Sequence, residues 1–445
     1  IEDEEGKNMY DFYKNRVNLT QEEMYYHPKA PEQTWSTWDA VNKLQRTKVK
    51  VTLDPYHRSF RTTNLYMPPG ELITFEVFPD AINLVKVILE PHRQHVSIND
   101  RLKYLQCETR LTQPKTTWGY PTGGAVSFEL FDTSKNVPIE INVSGCALAP
   151  HFIYGVTDEK EWEESIRTRE APSAMITNGA INAFMPANTI RDVDRMDDVQ
   201  AWWRSAALRS QEIAPDPMGV NDKYHFRHPL NWRYDNFVGC GIACAYSGAN
   251  FVDFTPDWAN SANKIDILKN GNPWGTIHEM NHHHQDGWAF KDMDPALTEG
   301  TNNVLNTWTY TYQNSASGSR TVDSNLNPIC LVDHLETIHP YCLVDWGFIE
   351  CEWDIIFHCL GRDVFKKYMD LNMKNEPYSW QLYNGYGKHV LTLMEATGYD
   401  VYEYCNWFCE HTNRKTMYEL LNYNNKYQNF MEAYKSHPAY GKYFH

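Results

Sequence analysis

Two histidines four residues apart, His278 and His282, bracket a carboxylate at Glu279. On a helix that spacing sets both imidazoles one turn apart on the same face, where they converge on a single cation. A carboxylate at the intervening i+1 position reaches a water held on the metal without itself ligating, and serves as its general base. The chemistry this predicts is hydrolysis at zinc, one ion per chain, with Glu279 as the catalytic base. Chance can supply five such residues in a chain with 18 histidines, so the surroundings must supply the third ligand.

Asn272-Pro273-Trp274-Gly275 supplies a turn before the motif and Asp286-Gly287 a stop after it, which predicts a short helix from about 275 to 285. Metzincins place a glycine and a third histidine at fixed offsets, but Gln285 and Trp288 stand there, which excludes that subclass. A carboxylate must then come from elsewhere. Glu299 follows His282 by seventeen residues, just beyond Asp294-Pro295, an apt N-cap and first-turn proline for a second helix. That is the gluzincin arrangement: His278, His282 and Glu299 as metal ligands, with a fourth position left for water. Asn302 and Asn303 share the face of Glu299 and are placed to hold the carboxylate or a histidine from behind. His283 and His284 turn away from the metal-facing side, since each residue rotates the helix by about 100°, and are read as surface or substrate-facing. A second oxyanion donor is needed, for which Tyr246, Tyr310 and His334 are candidates. The pairs Cys240/Cys244 and Cys405/Cys409 lack the two-residue spacers of a structural zinc site and are read as buried thiols.

Elements that position this chemistry follow from periodicity. A chain of 445 residues predicts two or more domains. Residues 1–45 are polar and aromatic without a steady period, an extension packed onto the body. Val49, Val51 and Leu53 alternate with polar residues. So do Ile73, Phe75 and Val77, then Val85, Val87 and Leu89, then Val126, Phe128 and Leu130, then Ile139, Ile141 and Val143. With turns such as Pro68-Pro69-Gly70 between them, residues 46–155 predict an antiparallel β-sandwich. The acidic run near 155–170 reads as an exposed helix or linker where strand alternation stops. Residues 156–445 predict a mainly helical domain, with helices over 193–208, 294–310, 353–369 and 390–409 and a small sheet over 235–254. The fold class is α+β and multidomain, with the metal site in the helical part.

Composition narrows the partners. A formal charge of −16 argues against a wide phosphate-binding surface, so nucleic acid is not expected. No run approaches the roughly 18 apolar residues of a transmembrane segment, and no basic-then-apolar leader is present. Asn18-Leu-Thr and Asn142-Val-Ser are glycosylation sequons; with the expected chemistry they favour an extracellular or cell-surface protein.

The stretch Trp274-Gly275-Thr276-Ile277-His278-Glu279-Met280-Asn281-His282-His283-His284-Gln285, followed by Thr298-Glu299-Gly300-Thr301-Asn302-Asn303, resembles the enhancin-like, mucin-degrading zinc metallopeptidases. Their signature is HExGHxxQ and then ExTNN. The likeness runs from about residue 45 to 415, through the Gly123-Gly124 strand and the segments 171–203, 235–248 and 398–410. Two positions depart from it. Asn281 replaces the usual glycine, which should leave ligation intact. Residues 240–249 depart from a usual His-containing, Gly-Tyr-Pro strand, which should alter substrate choice. The resemblance implies a β-sandwich ahead of a zincin domain, cleavage of O-glycosylated, mucin-like proteins, and secretion or surface display. An edge strand near Phe237 to Phe251 would add the peptide as a further strand, with aromatics stacking on sugar rings. Two rivals are a glycan- or protein-binding module that kept the fold without turnover, and a general metallopeptidase indifferent to sugar.

Overall fold

The alternating residues turn one face of each strand inward. In a computed structural model they form β1 (Arg46–Leu53), β2 (Leu65–Met67), β3 (Ile73–Val77), β4 (Val85–Leu89), β5 (Cys107–Arg110), β6 (Lys115–Trp118), β7 (Gly124–Leu130) and β8 (Ile139–Leu148). The structure describes residues 11–13, 16–25, 27–53, 60–89, 107–131, 137–212, 229–235, 238, 242–246, 251–270, 273–285, 295–312, 352–353, 356, 359–361, 363–374, 385–408 and 427–436. Pairing is antiparallel throughout this region, in the order β5-β4-β7-β2-β8-β3-β6 with β1 also on β8. Hydrogen bonding therefore runs on through β2, which pairs with both β7 and β8, instead of dividing into two separate sheets. Its arms face one another across one core, where Phe75 of β3 meets Phe128 of β7 edge to face at 6.3 Å. Tyr13, Leu19 and Met24 join that core.

Beyond β8 the strands do not stop. β9 (His151–Ile153), β10 (Ser173–Thr177), β11 (Ile181–Pro186), β12 (Leu230–Tyr234), β13 (Ala243–Tyr246) and β14 (Phe251–Phe254) form a six-stranded sheet ordered β13-β14-β12-β11-β10-β9. This is a larger sheet than the one expected over 235–254. β10 and β11 are antiparallel, while β9–β10, β11–β12 and β12–β14 are parallel. Every residue of β11 and β12 is buried, the polar Asn182, Asn231 and Arg233 included, as in strands covered on both faces. Arg233 and Asp253 sit opposite one another on β12 and β14 as a fully buried ion pair. The acidic run is not a simple linker. It forms a helical turn at Glu159–Glu161 and a π-helical turn at Trp162–Ile166, with Trp162 buried against Phe152 at 5.3 Å.

Eight helices follow among the described residues that bear on the site or its surroundings: α1 (Met196–Gln211), α2 (Pro256–Ala262), α3 (Ile265–Asn270), α4 (Trp274–Asn281), α5 (Pro295–Tyr312), α6 (Asp363–Lys374), α7 (Gly385–Thr397) and α8 (Tyr402–Phe408). Trp203 of α1 packs edge to face on Trp232 at 4.8 Å and donates from its indole N–H to the Ala262 carbonyl at 2.7 Å. Two helices expected as continuous are broken. Gly398, at φ +74°, ends α7 before α8, and Gly361, at φ +81°, precedes α6, the left-handed position that terminates helices. None of the described helices is long and apolar enough to cross a membrane.

The chain divides into two compact units. One contains the described parts of 1–204, 227–244 and 251–268, with β1–β8 and most of the second sheet; the other contains those of 205–226, 245–250 and 269–445, with α4–α8.

Candidate active site

An eight-residue helix capped by Pro273 without a side-chain hydrogen bond has little stability of its own. Burial of Ile277 and Met280, both fully covered, anchors α4 and turns the opposite face, with His278, Glu279 and His282, toward the site. Past Asn281 the chain tightens into a 3-10 turn over His282–His284. The tightening carries His283 and His284 inward: both are buried, and His284 Nε2 lies 3.0 Å from Ser210 Oγ. They are not surface or substrate-facing residues, because the 100° step of a regular α-helix no longer applies there.

α5 presents Glu299, Asn302, Asn303 and Asn306 on one face, at helical offsets of three, four and seven. The His278 and His282 Nε2 atoms are 3.0 Å apart, and Glu299 Oε2 lies 2.8 Å from the first and 3.5 Å from the second. A tetrahedral zinc ion with bonds of about 2.0–2.1 Å spaces its ligands by roughly 3.3 Å, so three donor atoms at these separations match its coordination shell. They are the single group of three or more such donors within 4.8 Å of one another among the described residues.

Tautomers strengthen the fit. His278 Nδ1 is 2.8 Å from Asn303 Oδ1, and His282 Nδ1 is 2.8 Å from Gln285 Oε1. Gln285 has no freedom to flip, since its Nε2 donates to the Thr298 carbonyl at 2.7 Å and to Thr301 Oγ1 at 2.6 Å. An amide oxygen facing each Nδ1 makes that nitrogen the N–H donor and leaves Nε2 with a bare lone pair pointing at Glu299, the arrangement that suits a metal ligand. Asn302 Nδ2 donates to the His278 carbonyl at 2.7 Å. It thus braces the helix backbone, and the Glu299 carboxylate is not its partner.

Electrostatics agree with this geometry. Burial pushes the Glu299 carboxyl up, but the adjoining His278 and His282 rings outweigh it and hold the group well below the usual carboxylate range, so it stays ionised as a metal ligand must. Glu279 stands outside the three-donor group. Burial raises its pKa, against the opposing pull of His282, His278 and the Ala245 backbone amide on β13. A carboxylate that binds a proton more readily than an ordinary glutamate is suited to taking one up and handing it on.

The remaining expectations divide. Tyr246 lies on β13 and Tyr310 on α5, with their side chains outside the described residues, as are His334, Asp294, Cys240 and Cys409 entirely. Cys405 is a buried free thiol, as read from sequence. Cys244 is instead disulfide-bonded. Spacing arguments gave no role to Gln285 or Asn306, although Asn306 continues the i, i+3, i+4, i+7 stripe that Glu299, Asn302 and Asn303 begin.

Comparisons with known proteins address the same segment. A family model described as peptidase M60, enhancin and enhancin-like, matches residues 145–335, and a model of the N-terminal domain of M60-like peptidases matches residues 42–144. Together they cover about two thirds of the chain. Antigenic protein P1 of Entamoeba histolytica is 26% identical over 275 residues, a stretch making up 57% of this chain and 24% of that protein. The chain therefore spans about a quarter of this relative's length. Among solved structures, a functionally unknown conserved protein from Bacillus anthracis str. Ames matches with a TM-score of 0.64 at 13% identity, over 92% of this chain and 78% of its own. The M60 catalytic domain of ZmpC from Clostridium perfringens, solved in complex with the sialyl T antigen, matches with a TM-score of 0.60 at 13% identity, over 93% and 80%. At such identities the likeness is one of fold.

Proposed function

Because this chain belongs to the peptidase M60 family of enhancin and enhancin-like proteins, we propose that it is a zinc-dependent endopeptidase that hydrolyses peptide bonds of O-glycosylated, mucin-like proteins. The observation that carries this reading is the convergence of His278, His282 and Glu299, with each histidine's Nδ1 facing an amide oxygen. Zinc bound by these three residues would act as a Lewis acid, lowering the pKa of water and polarising the scissile carbonyl. Glu279 takes the proton of the attacking water and passes it to the leaving amine. Asn303 and Gln285 keep the two imidazoles in the ligating tautomer, and Asn302 keeps the backbone of His278 in place. Tyr246, Tyr310 and His334 remain the candidates for a second oxyanion donor.

Substrate choice rests on the family and on its solved relative bound to a mucin-type glycan. β13 ends the order of its sheet, so an extended peptide has an edge to add to. The Cys244 disulfide suits an oxidising compartment and supports an extracellular or cell-surface setting. Asn142 lies on the partly exposed face of β8, whereas the Asn18 carboxamide is engaged with Gln113 and the Thr117 amide.

The test is to map by mass spectrometry the fragments of a defined O-glycoprotein, with and without chelator and before and after enzymatic removal of its glycans. Cleavage beside glycosylated Ser or Thr that disappears on chelation and on deglycosylation is expected. Cleavage indifferent to deglycosylation would leave a general metallopeptidase; binding without fragments would leave a non-catalytic module.

A further inference from the structure

Asn306 grips both ends of α4. Its Nδ2 donates to the Trp274 carbonyl at 3.4 Å, and its Oδ1 accepts from Asn281 Nδ2 at 2.7 Å. Trp274 and Asn281 are the first and last residues of that helix. The Trp274 contact fixes the orientation of the Asn306 amide, since the flipped form would set two oxygens against each other. Both asparagines are fully buried. Asn281 Oδ1 has no hydrogen-bond partner among the described residues, so the bond to Asn306 is what offsets the desolvation of that carboxamide.

Position 281 is where the enhancin-like signature has glycine, which offers no such bond. His282 is the next residue, and His278 lies three residues back on an adjacent face. A rotation of α4 by about 10° would sweep an imidazole nitrogen through roughly 1 Å, beyond the ~0.5 Å tolerance of a preorganised site. The helix has no side-chain N-cap to resist that rotation.

We propose that Asn281 and Asn306 form a latch that sets the rotation of α4, and with it the zinc affinity of His278 and His282. Both are positioning residues, and the inference rests on the zinc-peptidase reading above. The full chain and the variants Asn281→Ala, Asn281→Gly, Asn306→Ala and Asn281→Ala/Asn306→Ala are titrated with zinc against a competing chelator, without substrate. Melting of the metal-free proteins is recorded alongside, with kcat and KM on a cleaved glycopeptide. Zinc affinity should fall about 10-fold in Asn281→Ala and between about 10- and 100-fold in Asn306→Ala, with the double variant no weaker than Asn306→Ala alone. kcat should fall while KM stays within about 2-fold, because the latch does not touch substrate. Asn281→Gly should match Asn281→Ala, since a latch is lost equally in both, whereas a helix-propensity effect would be larger for glycine. Affinities within about 2-fold of the parent in folded variants, additive losses, or a distinctly weaker glycine variant would overturn the proposal. Should Asn306→Ala fail to fold, Asn281→Ala, which keeps the Asn306–Trp274 bond, decides alone. A parent chain that binds no zinc removes the peptidase reading, and the latch with it; a parent that binds zinc beside indifferent variants removes the latch only.

Discussion

The β1–β8 sheet and the α4–α5 pair are held by different forces. Phe75 meets Phe128, and Val49 faces Val143 across β1 and β8, so the sheet's core is carbon against carbon. α5 meets α4 through hydrogen bonds of Asn302, Asn303 and Asn306, and through Glu299, whose carboxylate faces His278 Nε2 at 2.8 Å. Apolar burial is non-directional and scales with area, which suits a scaffold that must only stay closed. A metal site needs atoms placed to within a fraction of an ångström, and directional bonds supply that. Stability and site geometry should therefore come apart under mutation.

The sharpest break is Glu279→Gln, which removes the proposed base without touching either packing scheme. Turnover should drop by at least about 10³-fold, with zinc content still near one per chain and the melting temperature unchanged. Activity that persists would place the base elsewhere. Phe128→Ala strikes the scaffold instead. It should cost about 3–5 kcal/mol of unfolding free energy, measured by denaturant titration, while the folded fraction keeps its zinc affinity; a parallel loss of affinity would show that the two regions are not separable. Asn303→Ala reverses that pattern. His278 loses its Nδ1 acceptor, so zinc affinity should fall about 10- to 100-fold in chelator competition, with roughly 1 kcal/mol of stability lost.

A further break lies in the acid response of the scaffold's unit. Burial foremost, with the charge of Arg169, lowers the His151 pKa to about 3, and its Nε2 lies 2.9 Å from Thr62 Oγ1. Between about pH 6.5 and 3 the unfolded chain holds a proton on this ring that the folded chain refuses. Stability therefore falls on acidification across that window, by at most ~1.4 kcal/mol per pH unit. His151→Gln should flatten this slope in unfolding curves recorded at pH 7 and pH 4. An unchanged slope would mean that other groups carry the acid response.

Much of the site was legible because its geometry is local. Residues four apart on a helix share a face whatever surrounds them, so His278 and His282 could be paired on paper, with Glu279 beside them. The period-two alternation of β1, β3 and β8 was equally plain, because those strands are covered on one face and wetter on the other. β11 escaped because burial on both faces leaves Ala183-Phe184-Met185 as an unbroken apolar run. His283 and His284 were misplaced because a 3-10 turn replaces the α-helix past Asn281, which residue spacing alone does not reveal.

What the amino-acid order determined by itself was where a metal-type donor set could assemble, since backbone periodicity is an intrachain property. Only the tertiary structure decided how that set is held: which nitrogen of each histidine faces Glu299, why Gln285 is immobile, and that Asn306 spans α4 from Trp274 to Asn281. Those contacts join residues on separate elements, and hydrogen-bond direction between two packed helices is fixed by how they dock, which no spacing along either one specifies.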